Sequence, residues 1–333
     1  MILLKLTKSL VRPDRQSYKG LCLFEIAMLA YLAVTTACIV SNPHAYVTPD
    51  SMLSGRLWCM VTTLIGLGAY ILFPCRLVMI ARVVNQLLWL GWWYPDTFEL
   101  NRELFNFDHL VANWDFVAFG CQPSLVWPVR FSHPVVSELM ALSYVSYYPL
   151  IVLTMCYFFF ARPQRIRQAA FVILGSFFIF YTIFIIFPVA GPQFYFEAIG
   201  TDQASLGISP QMGNYCSQHQ ESLPIPGWTD GLFHKLLIAA HNAGERPTAA
   251  FPSSHVGVTT VLLWLARQER CRWLFFTILP LGTLMFFATV YIQAHYLWDA
   301  IAGIAAGTLM YFALRWLYDV IHKAIQDKMT TKA

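Results

Sequence analysis

The chain has 333 residues, of which 57% are hydrophobic and only 12% charged, about half the charged fraction of an ordinary soluble domain. A water-soluble fold of this length needs more polar surface, so most of its exterior must face lipid. The formal net charge of +4 is spread along the chain and gives no reason to expect a nucleic-acid partner. Apolar segments run from near the first residue to near the last without an intervening polar block, which predicts one membrane domain of all-α class, a polytopic transmembrane helical bundle.

Residues 1–20 hold Lys5, Lys8, Arg12, Arg15 and Lys19 around Pro13 and Asp14. This stretch reads as a cytoplasmic tail and not as a signal peptide. A bilayer core needs about 20 largely apolar residues per helix. By that measure about eight spans are expected, near 21–40, 57–74, 77–94, 135–160, 168–188, 252–266, 273–292 and 296–316. The third contains Arg82, and a charge at mid-membrane costs about 2.5–3.5 kcal/mol; lying near one end, it is expected to snorkel. The sixth is short and begins at the Pro252 turn.

Basic residues cluster on one side of this topology: the first tail, Arg76 and Arg82, Arg162, Arg165 and Arg167, Arg267, Arg270 and Arg272, then Lys323, Lys328 and Lys332. The other side holds Arg56, Arg102, Arg130, Lys235 and Arg246, with Arg315 at a boundary. Positive charge stays inside, so both termini are expected in the cytoplasm and the loops 95–134 and 189–251 outside. Trp114, Phe116, Trp127 and Phe131 in the first loop predict re-entrant or interfacial helices. Of the eight cysteines, most read as small apolar packing residues. Cys121 and Cys216 fall in the outer loops, where an oxidising compartment would let them pair; pairing stays open. No CxxC or Cys/His zinc spacing occurs.

Chemistry-bearing residues concentrate in two places: Phe251-Pro252-Ser253-Ser254-His255-Val256-Gly257 and, further on, His295-Tyr296-Leu297-Trp298-Asp299. His255 opens one span; His295 and Asp299 open another two spans later, so all three reach one face. On a helix, positions i and i+4 share a side, and Asp299 could fix the tautomer of His295. Pro252 suits a first helical position, leaving the N–H groups of Ser253, Ser254 and His255 as an anion cradle. Plainer readings exist. A lone histidine in a span often only packs, His-x-x-x-Asp also serves as a structural pair or half a metal site, and Pro-Ser-Ser is often a loop meeting a helix. The catalytic reading rests on three functional types converging at one depth, where ionisable groups are rare. His133 and His241 lie in the outer loops and are either solvated or in reach of a headgroup.

Pro252-Ser253-Ser254-His255 and His295-x-x-x-Asp299 resemble the second and third signatures of the type 2 phosphatidic acid phosphatase superfamily. Asn113-Trp114-Asp115-Phe116 to Phe119-Gly120, Phe131-Ser132-His133-Pro134 to Glu138-Leu139, Tyr144 to Pro149, and Gly191-Pro192 are similar to the branch that includes fungal inositol phosphorylceramide synthases and bacterial relatives. The likeness covers roughly 100–310. It implies a six-helix catalytic core over 96–320, with a tail and accessory helices over 1–95 and a cytoplasmic tail over 321–333. It implies His295 as the nucleophile that becomes phosphohistidine, His255 as the general acid, Asp299 as the orienter, and no metal or cofactor. The chain also departs from the family pattern. Thr289 stands where the third signature has arginine, the lysine and Arg-Pro of the first signature are absent from their usual place, and Gln193 stands where related proteins often carry arginine. The substrate phosphate still needs a cation; Arg246 is the best placed, with Arg130 and Lys235 next.

The expected activity is transfer of a phosphoryl-headgroup, such as phosphoinositol, from a phospholipid donor to a lipid hydroxyl of ceramide type. The alternative is a lipid phosphate phosphatase using the same residues. A lipid transporter is a distant third, because no paired Gly/Pro-broken helices occur in corresponding halves. The expected partners are the bilayer and its lipids, and oligomeric state stays open. The outer side is periplasm or Golgi lumen, with a bacterial plasma membrane favoured.

Overall fold

The structure, a computed structural model, describes residues 20–330; most of the tail expected over 1–20, and Lys332, lie outside the described residues. The described residues are 78% helical and show an isolated parallel bridge, Val189 with Ala249.

In chain order the helices are α1 (Leu23–Ser41), α2 (Pro49–Leu72) and α3 (Arg76–Asn101), then α4 (Asp108–Phe119) and α5 (Pro123–Arg130) in the first predicted loop. Next come α6 (Pro134–Val145), α7 (Tyr147–Ala161) and α8 (Ile166–Ile186). The second predicted loop folds into α9 (Pro192–Ile199), α10 (Thr201–Ser205), α11 (Tyr215–Gln218) and α12 (Leu232–Gly244). The chain closes with α13 (Ser254–Gln268), α14 (Arg272–Tyr291) and α15 (Leu297–Thr330). Proline opens α2, α5, α6 and α9, where its missing N–H costs no hydrogen bond. It bends the chain elsewhere: α6 and α7 meet at 48°, because Pro149 has no N–H to give the carbonyl of Val145.

Five helices are long and apolar enough to cross a membrane, and a sixth crossing arises if α6 and α7 form one bent span. The chain is therefore a multi-pass helical membrane protein. Two of the expected spans fall outside that measure of length and hydropathy: 77–94 lies within α3, whose polar residues face protein, and 252–266 is α13, 15 residues long.

The chain divides into two compact units. One contains the described part of Met1–Asp96 with Met155–Phe178 and Leu314–Ala333. Four of its buried charges form two pairs. Arg56 forks onto Asp96 with bonds of 2.8 and 2.7 Å, and Arg82 is paired with Glu25. Arg82 thus does not snorkel; it is 2% exposed, and its guanidinium lies 5.0 Å from the ring centre of Tyr70. Gln86 donates to Thr63 at 2.8 Å. These partners explain how α3 tolerates its polar residues.

The second unit, Thr97–Thr154 with Ile179–Ala313, holds every expected site residue. Here α13 packs on α14, and α6 packs on α12 and α14. Helices α13 and α15 meet through glycines. A Cβ on Gly303 would stand 2.7 Å from the carbonyl of Ser253, and one on Gly307 would overlap the carbonyl of Gly257. Such small-residue contacts let backbones approach where lipid provides no hydrophobic drive. This crossing brings the start of α13 onto the start of α15.

Candidate active site

After α14 the chain turns sharply through Gln293, whose φ is 65°, and the N–H of His295 donates to the carbonyl of Thr289 at 3.0 Å. His295 therefore precedes α15 and does not belong to its helix. The first turn of α15 would leave backbone N–H groups without partners, and carboxylates take them. Tyr296 N–H donates to Asp299 at 2.8 Å. Leu297 and Trp298 donate to the two oxygens of Asp115 at 2.8 and 3.0 Å. A third carboxylate, Asp108, accepts from the N–H groups of Ala190 and Gly191, both at 2.8 Å, and from the Tyr296 hydroxyl at 3.0 Å. Burial pushes the Asp108 and Asp115 carboxyls up to about 6, against the opposing pull of these donors.

The ring of His295 is 4% exposed. Its Nδ1 lies 2.8 Å from the carbonyl of Ala250 and 3.4 Å from Asp299 Oδ2. A carbonyl only accepts, so Nδ1 carries the proton and Nε2 presents its lone pair. The nearer orienter is thus the Ala250 carbonyl, and the expected carboxylate stands second. Burial holds the ring well below the ordinary imidazole range, at about 4, although the Ala250 bond works the other way. At neutral pH the His295 ring is uncharged.

His255 lies in the first turn of α13, between the rings of Tyr144 and Tyr147 at 4.5 and 4.4 Å. Its ring centre is 5.8 Å from that of His295. Pro252 is not the first helical residue: Ser253 caps the helix, its side chain accepting from Val256 N–H. The Ser253 N–H donates to the backbone carbonyl of Asp299 at 3.0 Å, which removes it from the expected cradle. The N–H groups of Ser254 and His255 have no backbone partner among the described residues. His255 Nδ1 and Asp299 Oδ1 are buried without hydrogen-bond partners, a costly condition that marks a site of chemistry more often than one of packing. One imidazole with an aimed lone pair thus faces another beside an open helix start, an arrangement suited to attack on an anionic phosphorus centre.

A family model described as PAP2 superfamily matches residues 109–313. The chain belongs to the PAP2 superfamily. Neither a curated protein nor a solved structure matches it. As in the sequence signatures, the PAP2 histidines come from α13 and the α14–α15 connection.

The expected anion-binding residues fare unevenly. Gln193 is buried, its N–H donating to Gln293 at 2.9 Å, and its side chain meets His241 Nε2 at 3.1 Å. Gly191 touches Ala294, where a Cβ would lie 2.7 Å from the carbonyl, so Gln193 sits against the segment that leads into His295. Arg246 is half-buried, and its side chain donates to the carbonyl of its neighbour Glu245, at 3.5 Å. Arg130 is exposed in the last turn of α5. Among the described residues neither is bonded to His255 or His295. Cys121 and Cys216 are free thiols. Four contributors had no expected role: Asp108, Asp115, Tyr144 and Tyr147. Asp108 and Asp115 are seven residues apart, two turns along one face of α4. Two acids at that spacing in an apolar, aromatic segment were the available signal.

Proposed function

We propose that the protein is a lipid phosphotransferase of the PAP2 superfamily, in the branch resembling inositol phosphorylceramide synthases, working through a phosphohistidine at His295. One observation carries the reading: two histidine rings stand 5.8 Å apart, one locked by Ala250 with Nε2 unprotonated. That leaves room for a phosphoryl group with phosphorus about 3–3.5 Å from the attacking nitrogen. Nε2 attacks phosphorus, an N–P bond forms, the P–O bond to the lipid alcohol breaks, and His255, which takes up a proton when the anionic phosphate binds beside it, gives that proton to the leaving oxygen. A second lipid hydroxyl then loses its proton to His255 and attacks phosphorus, restoring neutral His295. The N–H groups of Ser254 and His255 face the developing charge, and Asp299 with Ala250 holds the nucleophile.

The cation supply favours transfer over hydrolysis. Thr289, where relatives carry arginine, turns its hydroxyl back to the carbonyl of Phe286 at 3.2 Å. Among the described residues, no lysine or arginine side chain bonds His255, His295, Ser253 or Ser254. A phosphomonoester carries about −1.5 to −2 at neutral pH, whereas a phosphodiester donor carries a single charge and needs less neutralisation. The loops with α4 and α9–α12 lie on the non-cytoplasmic face of a bacterial plasma membrane in this reading, with both termini inside.

The test offers purified protein two substrates. With phosphatidylinositol and ceramide, a new phosphoinositol lipid and diacylglycerol are expected, and a base-stable, acid-labile phosphoinositol adduct held by an N–P bond maps to His295. Free phosphate from phosphatidate, with no transfer product, would instead establish a phosphatase. Lipid flux that persists in His295→Ala would establish a transporter.

A further inference from the structure

The end of α13 remote from His255 carries a second constellation that phosphotransfer does not use. Arg267, Arg270 and Arg272 line a pocket of about 250 Å³ with Cys271, Phe275 and Phe276. All three arginines are exposed, and none is in an ion pair among the described residues. Glu269, the one acid in this connection, is half-buried and does not line the pocket. Arg267 and Phe275 also line an apolar groove of about 500 Å³ that runs along α13 past Trp264, Leu263 and Thr260 toward Val256. Its far wall comes from Phe286 and Phe287 of α14 and Ile304 of α15. A basic pocket thus opens into an apolar channel, joined through two shared residues. From Arg267 to His255 is twelve residues, roughly 18 Å along the helix, so a ligand held by the arginines stands away from the catalytic rings.

We propose that this is a second, non-catalytic lipid site, whose arginines hold the phosphate of an anionic phospholipid while one of its chains lies in the α13–α14 groove. Three unpaired guanidiniums match a phosphodiester in charge and geometry, and basic pockets between transmembrane helices suit anionic headgroups. A zwitterionic lipid offers the same chain without net negative charge. A soluble anion offers the charge without a use for the groove. A loop that is basic only to orient the chain has no use for the groove either.

The purified full chain in neutral detergent is titrated with phosphatidylglycerol and, separately, with phosphatidylcholine, and retained lipid is counted by native mass spectrometry. Retention of phosphatidylglycerol over phosphatidylcholine is expected. Arg267→Gln, Arg270→Gln and Arg272→Gln together should weaken it about 100-fold, at one charge's worth of attraction per arginine. The matching triple Lys variant should lose less than the Gln variant, and Leu263→Trp, which blocks the groove with the arginines intact, should weaken retention too. Equal retention of both lipids, or unchanged binding in the Gln variant, overturns the proposal. So does full displacement of the lipid by inorganic phosphate, which would mark a site for soluble anions. Binding is read without turnover, so the result stands apart from the phosphotransfer reading.

Discussion

Helices α13 and α15 begin side by side, yet their first turns are finished in opposite ways. At α15 the N–H groups of Tyr296, Leu297 and Trp298 all end on carboxylates, from Asp299 and Asp115. Asp108 closes the turn before α9 in the same manner, and Glu138 accepts from the first turn of α12 at 3.1 and 3.0 Å. At α13 the cap is the neutral hydroxyl of Ser253, and the N–H groups of Ser254 and His255 stay open. A helix start attracts anions. Where the protein supplies its own carboxylate, a phosphate is repelled; where it supplies a hydroxyl, the attraction remains for a ligand. In the proposed reading, this difference lets a site poor in cations direct a phosphate to one place.

The nucleophile lies on the closed side, and its loss should have the largest effect. His295→Ala is expected to lower turnover by about 10⁴-fold or more while the protein still folds, as read by lipid product formation and thermal unfolding. On the open side, His255→Gln removes the proton donor and should cost about 10²–10⁴-fold. A variant with near-normal turnover would break the assignment of acid and nucleophile.

Closing the open helix start tests the comparison directly. Ser254→Asp places a carboxylate where helix energetics welcome one, so the unfolding temperature should hold or rise slightly. Turnover should nevertheless fall about tenfold, since a like charge beside the phosphate costs on the order of one pK unit or more. Unchanged turnover would separate the cradle from the chemistry. Opening the closed start gives a smaller effect of the other kind. Asp115→Asn keeps an acceptor but loses the charge, and should cost about 1–3 kcal/mol of stability, with a lesser loss of turnover as the His295 segment loosens.

The smallest change is expected from pH. The neutral ring is the reactive one, and burial lowers His295 to about 4. Lowering the pKa keeps the ring neutral to more acidic pH, so the acid limb of kcat/KM should lie near pH 4 and not near 6.5. Little loss from this group is expected between pH 7 and 5, and about tenfold per unit below 4. An acid limb at 6.5 would place the nucleophile in contact with water.

Hydropathy and two short motifs determined a good deal. The multi-pass helical class follows from the scarcity of charge, because a bilayer leaves few options for unsatisfied backbone. His255, His295 and Asp299 were legible because ionisable residues seldom enter apolar segments without a reason. Asp115 was visible inside the Asn113–Phe116 motif and Asp108 only as a second acid on the same face of α4, but neither one's role was legible, since their partners lie about 80 and 180 residues away along the chain. The Ala250 carbonyl was invisible, as every residue has one.

Tertiary structure alone decided the backbone partner of His295 and the distribution of caps. Composition cannot tell a polar residue that snorkels from one that is paired inside the protein, and Arg82 on Glu25 is the second kind. A motif likewise names the side chains but not the backbone groups that meet them. The approach of α13 to α15 over Gly257, Gly303 and Gly307 sets the distance between two imidazoles forty residues apart in sequence. That distance is a property of packed backbones, on which a linear pattern of residues places no direct constraint.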